Sequence, residues 1–569
     1  MKRFIIGLVV SAILCLLCAC TKKDNTDYTS WLPDNYSPEV GQFLQGKDYE
    51  LRQETVTNSD NVVATAYSAE SLVDLLLNNQ SEELADKLWE SQIANGVYSV
   101  TQDELNKNMI TYYVSSSEGD DNNLGLSPNE PKKTFDQFSG KSNITILLKC
   151  GDVFEMEEGF AAGSGCIYAT YGQGSRPVVS YYHELNVPFV HLDGYANIWV
   201  ADLLNVSGIY NGKEDKDNCN IGQLVIDGEI NWKRVVCSTD AYDTFDFPGD
   251  LQARADGSWN VDWLQSKLYL YSVEDPNTKD IWVAPDVHGI VFEGDSNTVL
   301  KGWTITGAGA HGCNIKEAKN VDIRNCFFYN IGGSVHRSAG IRYGNAVQVW
   351  NSGSNINITH NYADWVFDSC YTNQGSSDTC YCENVVFEKN IGAHSFTGIE
   401  TWADSYSQFP FTNLVYCNNI LYNMCDITDP AQELYADKRG QLLLTDEEEK
   451  NYVTYRGGYT YNQMSSINLS NSQLPGGLKI FENVFWNPKR LLTLCSSTSF
   501  PEMDNNYFYA EIPNDQVYMF RGKNVIGETY YYQSFNVPSN EFCIVRRDED
   551  GTAKDSMKRL IDSMDKIIQ

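Results

Sequence analysis

The stretch "GIETW", beginning at Gly398, sets Glu400 and Trp402 two positions apart in a run of alternating apolar residues. Side chains two apart on a strand share one face, so a carboxylate and an indole would stand side by side. That pairing suits sugars: the aromatic covers the apolar C–H face of a ring, and the carboxylate moves protons at a glycosidic oxygen or an attacking water. Two more carboxylates come near in sequence, Asp368 three residues before Tyr371 and Asp404 two beyond Trp402. If the two segments are neighbouring strands, strand geometry puts the backbones of Glu400 and Asp368 roughly 10 Å apart. Side chains would bring them to about 6.5–9.5 Å, the separation of an inverting hydrolase pair.

A lyase would need other groups: a Lys, Arg or His base, and a cation to neutralise the uronate carboxylate. Lys316 and the loop "GGSVHRSAGIRYGN", with His336, Arg337 and Arg342, contain such residues. No Asp cluster resembles a calcium site, so the expectation is no cofactor, with a calcium ion entering only under the lyase reading. The scattered His288, His311, His360 and His394 read as loop or turn residues rather than metal ligands. The polygalacturonase-type pattern of a paired "DD" together with "GHG" and "RIK" is absent.

These residues need elements to hold them. Segments "NTVLKGWTITG", "NVDIRNCFFYN", "NINITHNYADW", "NVVFEKNIGAH" and "NLVYCNNILYN" start at Asn297, Asn320, Asn355, Asn384 and Asn413, spaced 23, 35, 29 and 29 residues. Period-two alternation inside a variable repeat predicts a β-solenoid whose loops differ from coil to coil. Asn361, Asn390, Asn419, Asn483 and Asn506 fall in register and predict an internal asparagine ladder. An earlier strand in each coil would stack Ile290, Cys313, Val347, Cys370 and Ile399 inside, followed by Phe292, Ile315, Val349, Thr372 and Thr401. Two outward rows result: Val291, Asn314, Gln348, Tyr371, Glu400, and Glu293, Lys316, Trp350, Asn373, Trp402. Gln348, Tyr371 and Asn373 would bond sugar hydroxyls, with Trp350 and Trp402 as stacking platforms about 10 Å apart.

Upstream, "TYYVSSSEGDDNNLGLSPNEPKKTFDQF", "ILLKCGDVFEMEEGF" and "YATYGQGSRPVVS" resemble the opening of right-handed parallel β-helix proteins of the pectate-lyase-like class. "LVIDGEINWKRV" and "DGSWNVDWLQSKLYLYS" resemble a β-rich insertion seen in carbohydrate-active members. The resemblance implies an all-β, right-handed single-stranded parallel β-helix acting on a polysaccharide. It leaves three functions open: glycoside hydrolase, uronate-directed polysaccharide lyase, and non-catalytic glycan-binding or polysaccharide-assembly protein.

The chain's first residues, Lys2, Arg3, an apolar run from Phe4 and then "LCAC", read as a lipoprotein signal in which Cys20 becomes the lipidated N-terminus. Thr21 after it favours the outer membrane. The expected order is signal 1–20, tether 21–37, helical segment 38–110 and β-helix 111–535, closed by a segment 536–569 with a terminal helix. The β-helix would carry an insertion at about 220–285 and a charged loop at about 426–456. The net charge of −33 over 569 residues argues against nucleic-acid partners. The expected partners are a polysaccharide and, through the lipid, a membrane, with the chain a monomer. Sixteen cysteines less the three in the signal region leave thirteen, among which no C-x-x-C pair occurs, so neither a zinc ribbon nor a redox motif is supported.

Overall fold

The computed structural model describes residues 109–422 with short breaks, strands beyond them as far as Ile544, and Ala85 with Asp86. The signal with Cys20, the tether, most of the helical segment, the charged loop and the C-terminal helix lie outside the described residues.

The described chain is all-β with almost no helix, and its body is two large sheets of 17 and 10 strands paired almost entirely in parallel. Each coil adds one strand to the smaller sheet, so Thr304, Phe327, Tyr362, Ile391, Ile420, Val484 and Tyr507 pair in succession. In the larger sheet the long strands Ile290–Lys301, Cys313–Arg324 and Val347–Thr359 lie side by side.

Two rows of asparagine turn the chain. Asn297, Asn320, Asn355, Asn384 and Asn413 hold φ between 47° and 65°, the left-handed region that Asn tolerates better than most residues. Their side-chain amides form a ladder, with Nδ2 to Oδ1 distances of 2.7, 3.0, 3.1 and 3.5 Å. The second ladder is internal. Cys326, Asn361, Asn390, Asn419 and Asn483 each donate a backbone N–H to the Oδ1 of the next asparagine, the last to Asn506, at 2.9–3.1 Å. Each Nδ2 closes a carbonyl of a neighbouring coil, such as Ile323 O at 2.9 Å and Ile358 O at 2.8 Å. Buried corners therefore keep their polar groups bonded, which is what lets an apolar core continue from coil to coil. That core runs from Val114 through Ile290, Ile315, Val349 and Ile399 to Phe485.

Strands from His183 to Pro285 form two four-stranded antiparallel sheets around a core of their own, with Leu224, Trp259, Val261, Leu268 and Val283. They are bonded to the coils at one corner, where Gln223 Nε2 donates to Asn330 O at 2.9 Å and to Gly332 O at 3.0 Å. Arg176 ties the carbonyls of Ala85 and Asn325 together at 2.7 and 2.9 Å.

The nine cysteines whose side chains are described are all buried. No helix among the described residues is long and apolar enough to cross a membrane.

Candidate functional site

The outward face of the larger sheet, where strands enter their coils, carries three rows. Register puts Asn314, Gln348, Thr372 and Glu400 in one row and Lys316, Trp350, Gln374 and Trp402 in the next. Three residues before the first of these rows on each strand come His288, His311, Asn345, Ser369 and Thr397.

Glu400 lies on this face, on the strand Thr397–Ala403, and is 4% exposed. Two donors converge on its Oε2: Ser369 Oγ at 2.9 Å and Gln374 Nε2 at 2.6 Å. Away from bulk water such bonds hold the carboxylate firmly. Between Gln348 and Glu400 stands Thr372, whose buried hydroxyl has no hydrogen-bond partner. Asp368 immediately precedes Ser369; its carbonyl accepts from Thr397 N at 3.0 Å and its own N–H donates to Gly344 O at 3.1 Å. Glu400 and Asp368 thus belong to adjoining coils linked by backbone bonds.

The sequence reading places Tyr371 and Asn373 on this face, and the structure corrects both. Tyr371 pairs with Val347 and Ile399, and Asn373 with Val349 and Thr401, so both point into the core. Tyr371 is 1% exposed, its hydroxyl donating to Ile391 O at 2.9 Å, and burial raises its pKa. Thr372 and Gln374 take the outward positions instead. Cys370 is buried as expected, but one place out of the stack assigned to it.

Arg342 is also corrected as a ligand group. It is 1% exposed, its Nε donating to Gly333 O at 2.8 Å and one terminal nitrogen to Gly222 O at 3.1 Å, with the guanidinium 4.0 Å from the Phe367 ring centre. This arginine joins the antiparallel sheets to the coils. Lys316 pairs with Glu293 at 2.7 Å, and that hydrogen bond raises its pKa, the opposite of what a lysine base needs. Trp350 is half-buried on the predicted face. The strands place the backbones of Trp402 and His336. Arg337, Asp404 and the side chains of Trp402 and His336 lie outside the described residues.

The row of His288, His311, Asn345 and Ser369 was not legible as a unit. Asn345 N donates to His311 Nδ1 at 2.9 Å, Ser369 N to Asn345 Oδ1 at 2.9 Å, and Asn345 Nδ2 to Gln348 Oε1 at 2.7 Å. Tyr343 adds an edge contact to His311 at 5.2 Å and a bond from its hydroxyl to Asp286 Oδ1 at 2.7 Å. Because a backbone N–H points at Nδ1, His311 carries its ring proton on Nε2. The signal was available two residues before each inward Ile290, Cys313 and Val347. No group of three or more His, Cys, Asp or Glu suited to a metal occurs among the described residues.

No protein-family model matches the chain, and no curated protein matches it. Among solved structures, one described as a glycoside hydrolase is 10% identical, covering 78% of this chain and 98% of its own, with a TM-score of 0.36. The GH136 lacto-N-biosidase of Eubacterium ramulus is 12% identical, with coverages of 94% and 91% and a TM-score of 0.32. XylC in complex with xylose is 11% identical, with coverages of 77% and 86% and a TM-score of 0.30. Overlaps this loose leave function to the site itself.

Proposed function

We propose that this protein is a right-handed parallel β-helix, exported and lipid-anchored at Cys20 in the outer membrane, that binds and cleaves a polysaccharide as a glycoside hydrolase. Right-handedness follows the rule for parallel crossovers in L-polypeptides. The observation that carries the reading is Glu400, a buried carboxylate held by Ser369 and Gln374 on a face it shares with Gln348, one row from Trp350. A solvated solenoid face has no use for such a group, because burying a carboxylate is costly unless its bonds or its chemistry repay it.

In this account Glu400, already an acceptor of two hydrogen bonds, takes the proton of the attacking water. Asp368 on the adjoining coil protonates the glycosidic oxygen, and Asp404 is the alternative acid. Oxygen–carbon bond formation and departure of the leaving sugar then occur on opposite faces of the ring, which inverts the anomeric centre. Trp350 and Trp402 cover sugar C–H faces, and Gln348 and the unpartnered Thr372 bond hydroxyls. No cofactor takes part. The lyase reading is weakened by Lys316, paired with Glu293, and by Arg342, spent on backbone carbonyls.

Incubating the protein with a glycan panel tests the reading. New reducing ends support hydrolysis; an unsaturated-uronate chromophore would show a lyase instead, and binding without either product would show a glycan-binding protein.

A further inference from the structure

Around the corner from Glu400, on the outward side of the smaller sheet, a second constellation is built from the strand Tyr362–Val366 and the residue after Ile391–Ala393. His394 Nδ1 lies 2.8 Å from Asp364 Oδ1, and the two side chains are 3% and 0% exposed. Asp364 also accepts from Trp365 N at 2.8 Å and Tyr362 Oη at 3.0 Å. A carboxylate facing Nδ1 fixes the proton there, so the lone pair of the neutral ring sits on Nε2. That nitrogen is buried with no hydrogen-bond partner. An acceptor left so is destabilising, and such groups in native proteins call for an occupant.

The backbone points the same way. Asn330, Trp365 and His394 occupy one corner position in three successive coils, with φ of 55°, 52° and 44°. Asparagine accepts that conformation cheaply, whereas a bulky tryptophan does not, and strain of this kind gathers where side chains are displayed for a purpose. The Trp365 ring stacks on the imidazole at 5.1 Å and 17°, and Tyr422 meets it edge-on at 5.3 Å. Tyr329, half-buried, stands beside Asp364 in register.

We infer that His394 Nε2, backed by Asp364 and flanked by Trp365 and Tyr422, is a binding site for a hydroxyl of a neutral saccharide. The unpartnered atom is an acceptor, so the ligand must bring a donor. The carboxylate behind it repels an anion, and three donors already on Asp364 leave it little attraction for a cation. Aromatic rings beside a single acceptor are the usual means of gripping a sugar ring. This inference does not depend on cleavage at Glu400, since a protein that only binds glycans would use the site equally well.

Diethyl pyrocarbonate, which acylates an unprotonated imidazole nitrogen, tests it on the intact folded chain, with modified peptides mapped by mass spectrometry. His394 is expected to react, and a mixture of glucose, galactose and xylose at molar concentration to slow that reaction several-fold without slowing His191, which lies in the antiparallel sheets. Reaction unaffected by the sugars would mean that the nitrogen meets only water, and no reaction in the folded state would mean that it is sealed; either result overturns the inference. His394→Asn, with the residue already found at the equivalent Asn330, identifies the peptide by losing its modification.

Discussion

Ser369 Oγ donates a hydrogen bond to Glu400 Oε2 across 2.9 Å, joining the row that holds His288 to the row that holds the carboxylate. The serine is wholly buried, so its loss cannot be made good by bulk water. Ser369→Ala should lower kcat about 10- to 100-fold, the worth of one hydrogen bond to a charged group, while the far-ultraviolet circular dichroism spectrum stays unchanged. An unaltered kcat would remove Ser369 from the site.

The internal ladder predicts stability. Asn390 accepts from the backbone and side-chain nitrogens of Asn361 at 3.0 and 3.1 Å and donates to Ile358 O at 2.8 Å and Asn419 Oδ1 at 3.1 Å. Asn390→Ala would orphan several of these buried groups together. Denaturant unfolding should show a loss of about 2–4 kcal/mol. Asn320→Ala, in the exposed outer ladder, should cost less, chiefly through its positive φ.

The coil at Tyr371 shows where sequence reading stops. The asparagine spacing made the solenoid, the ladder and the face of Glu400 legible, because a stacked amide can sit only where each coil turns. It did not disclose that the corner between Asp364 and Ser369 is one residue longer than that between Ala393 and Thr397. The next loop restores the count, since Ser352 pairs with Tyr381 and Cys382 with Phe411 across the same 29 residues that separate Asn361 from Asn390. A constant period therefore concealed a slip that exchanges the two faces of a strand. Tyrosine and asparagine also looked like surface residues. The core accepts Tyr371 because its hydroxyl finds the carbonyls of Ile391 and Asn361 at 2.9 and 3.2 Å. Tyr371→Phe should accordingly lose about 1 kcal/mol of stability and leave glycan binding unchanged; weaker binding with unchanged stability would restore the outward placement.

Glu388 gives a pH dependence unrelated to the site. Burial raises its pKa from 4.5 to about 7, with Lys389 opposing and Glu482 adding to the shift. The folded state thus holds this proton more tightly than the unfolded chain, so the group costs stability as pH rises from 4.5 through 7. The side chain is half-buried, and solvent screening keeps the cost at about 1–3 kcal/mol. Glu388→Gln should match the unmodified chain at pH 4 and exceed its melting temperature at pH 8.

The central claim is that Glu400 is the carboxylate that cleaves a glycosidic bond. Its most direct test compares the unmodified chain with Glu400→Gln on a glycan panel, counting new reducing ends and measuring binding to the same glycans. Glutamine keeps the size and an acceptor for Ser369 but cannot take a proton. The account predicts reducing ends from the unmodified chain, a fall of about 100- to 10,000-fold in the variant, and retained binding. Undiminished hydrolysis by Glu400→Gln would contradict it.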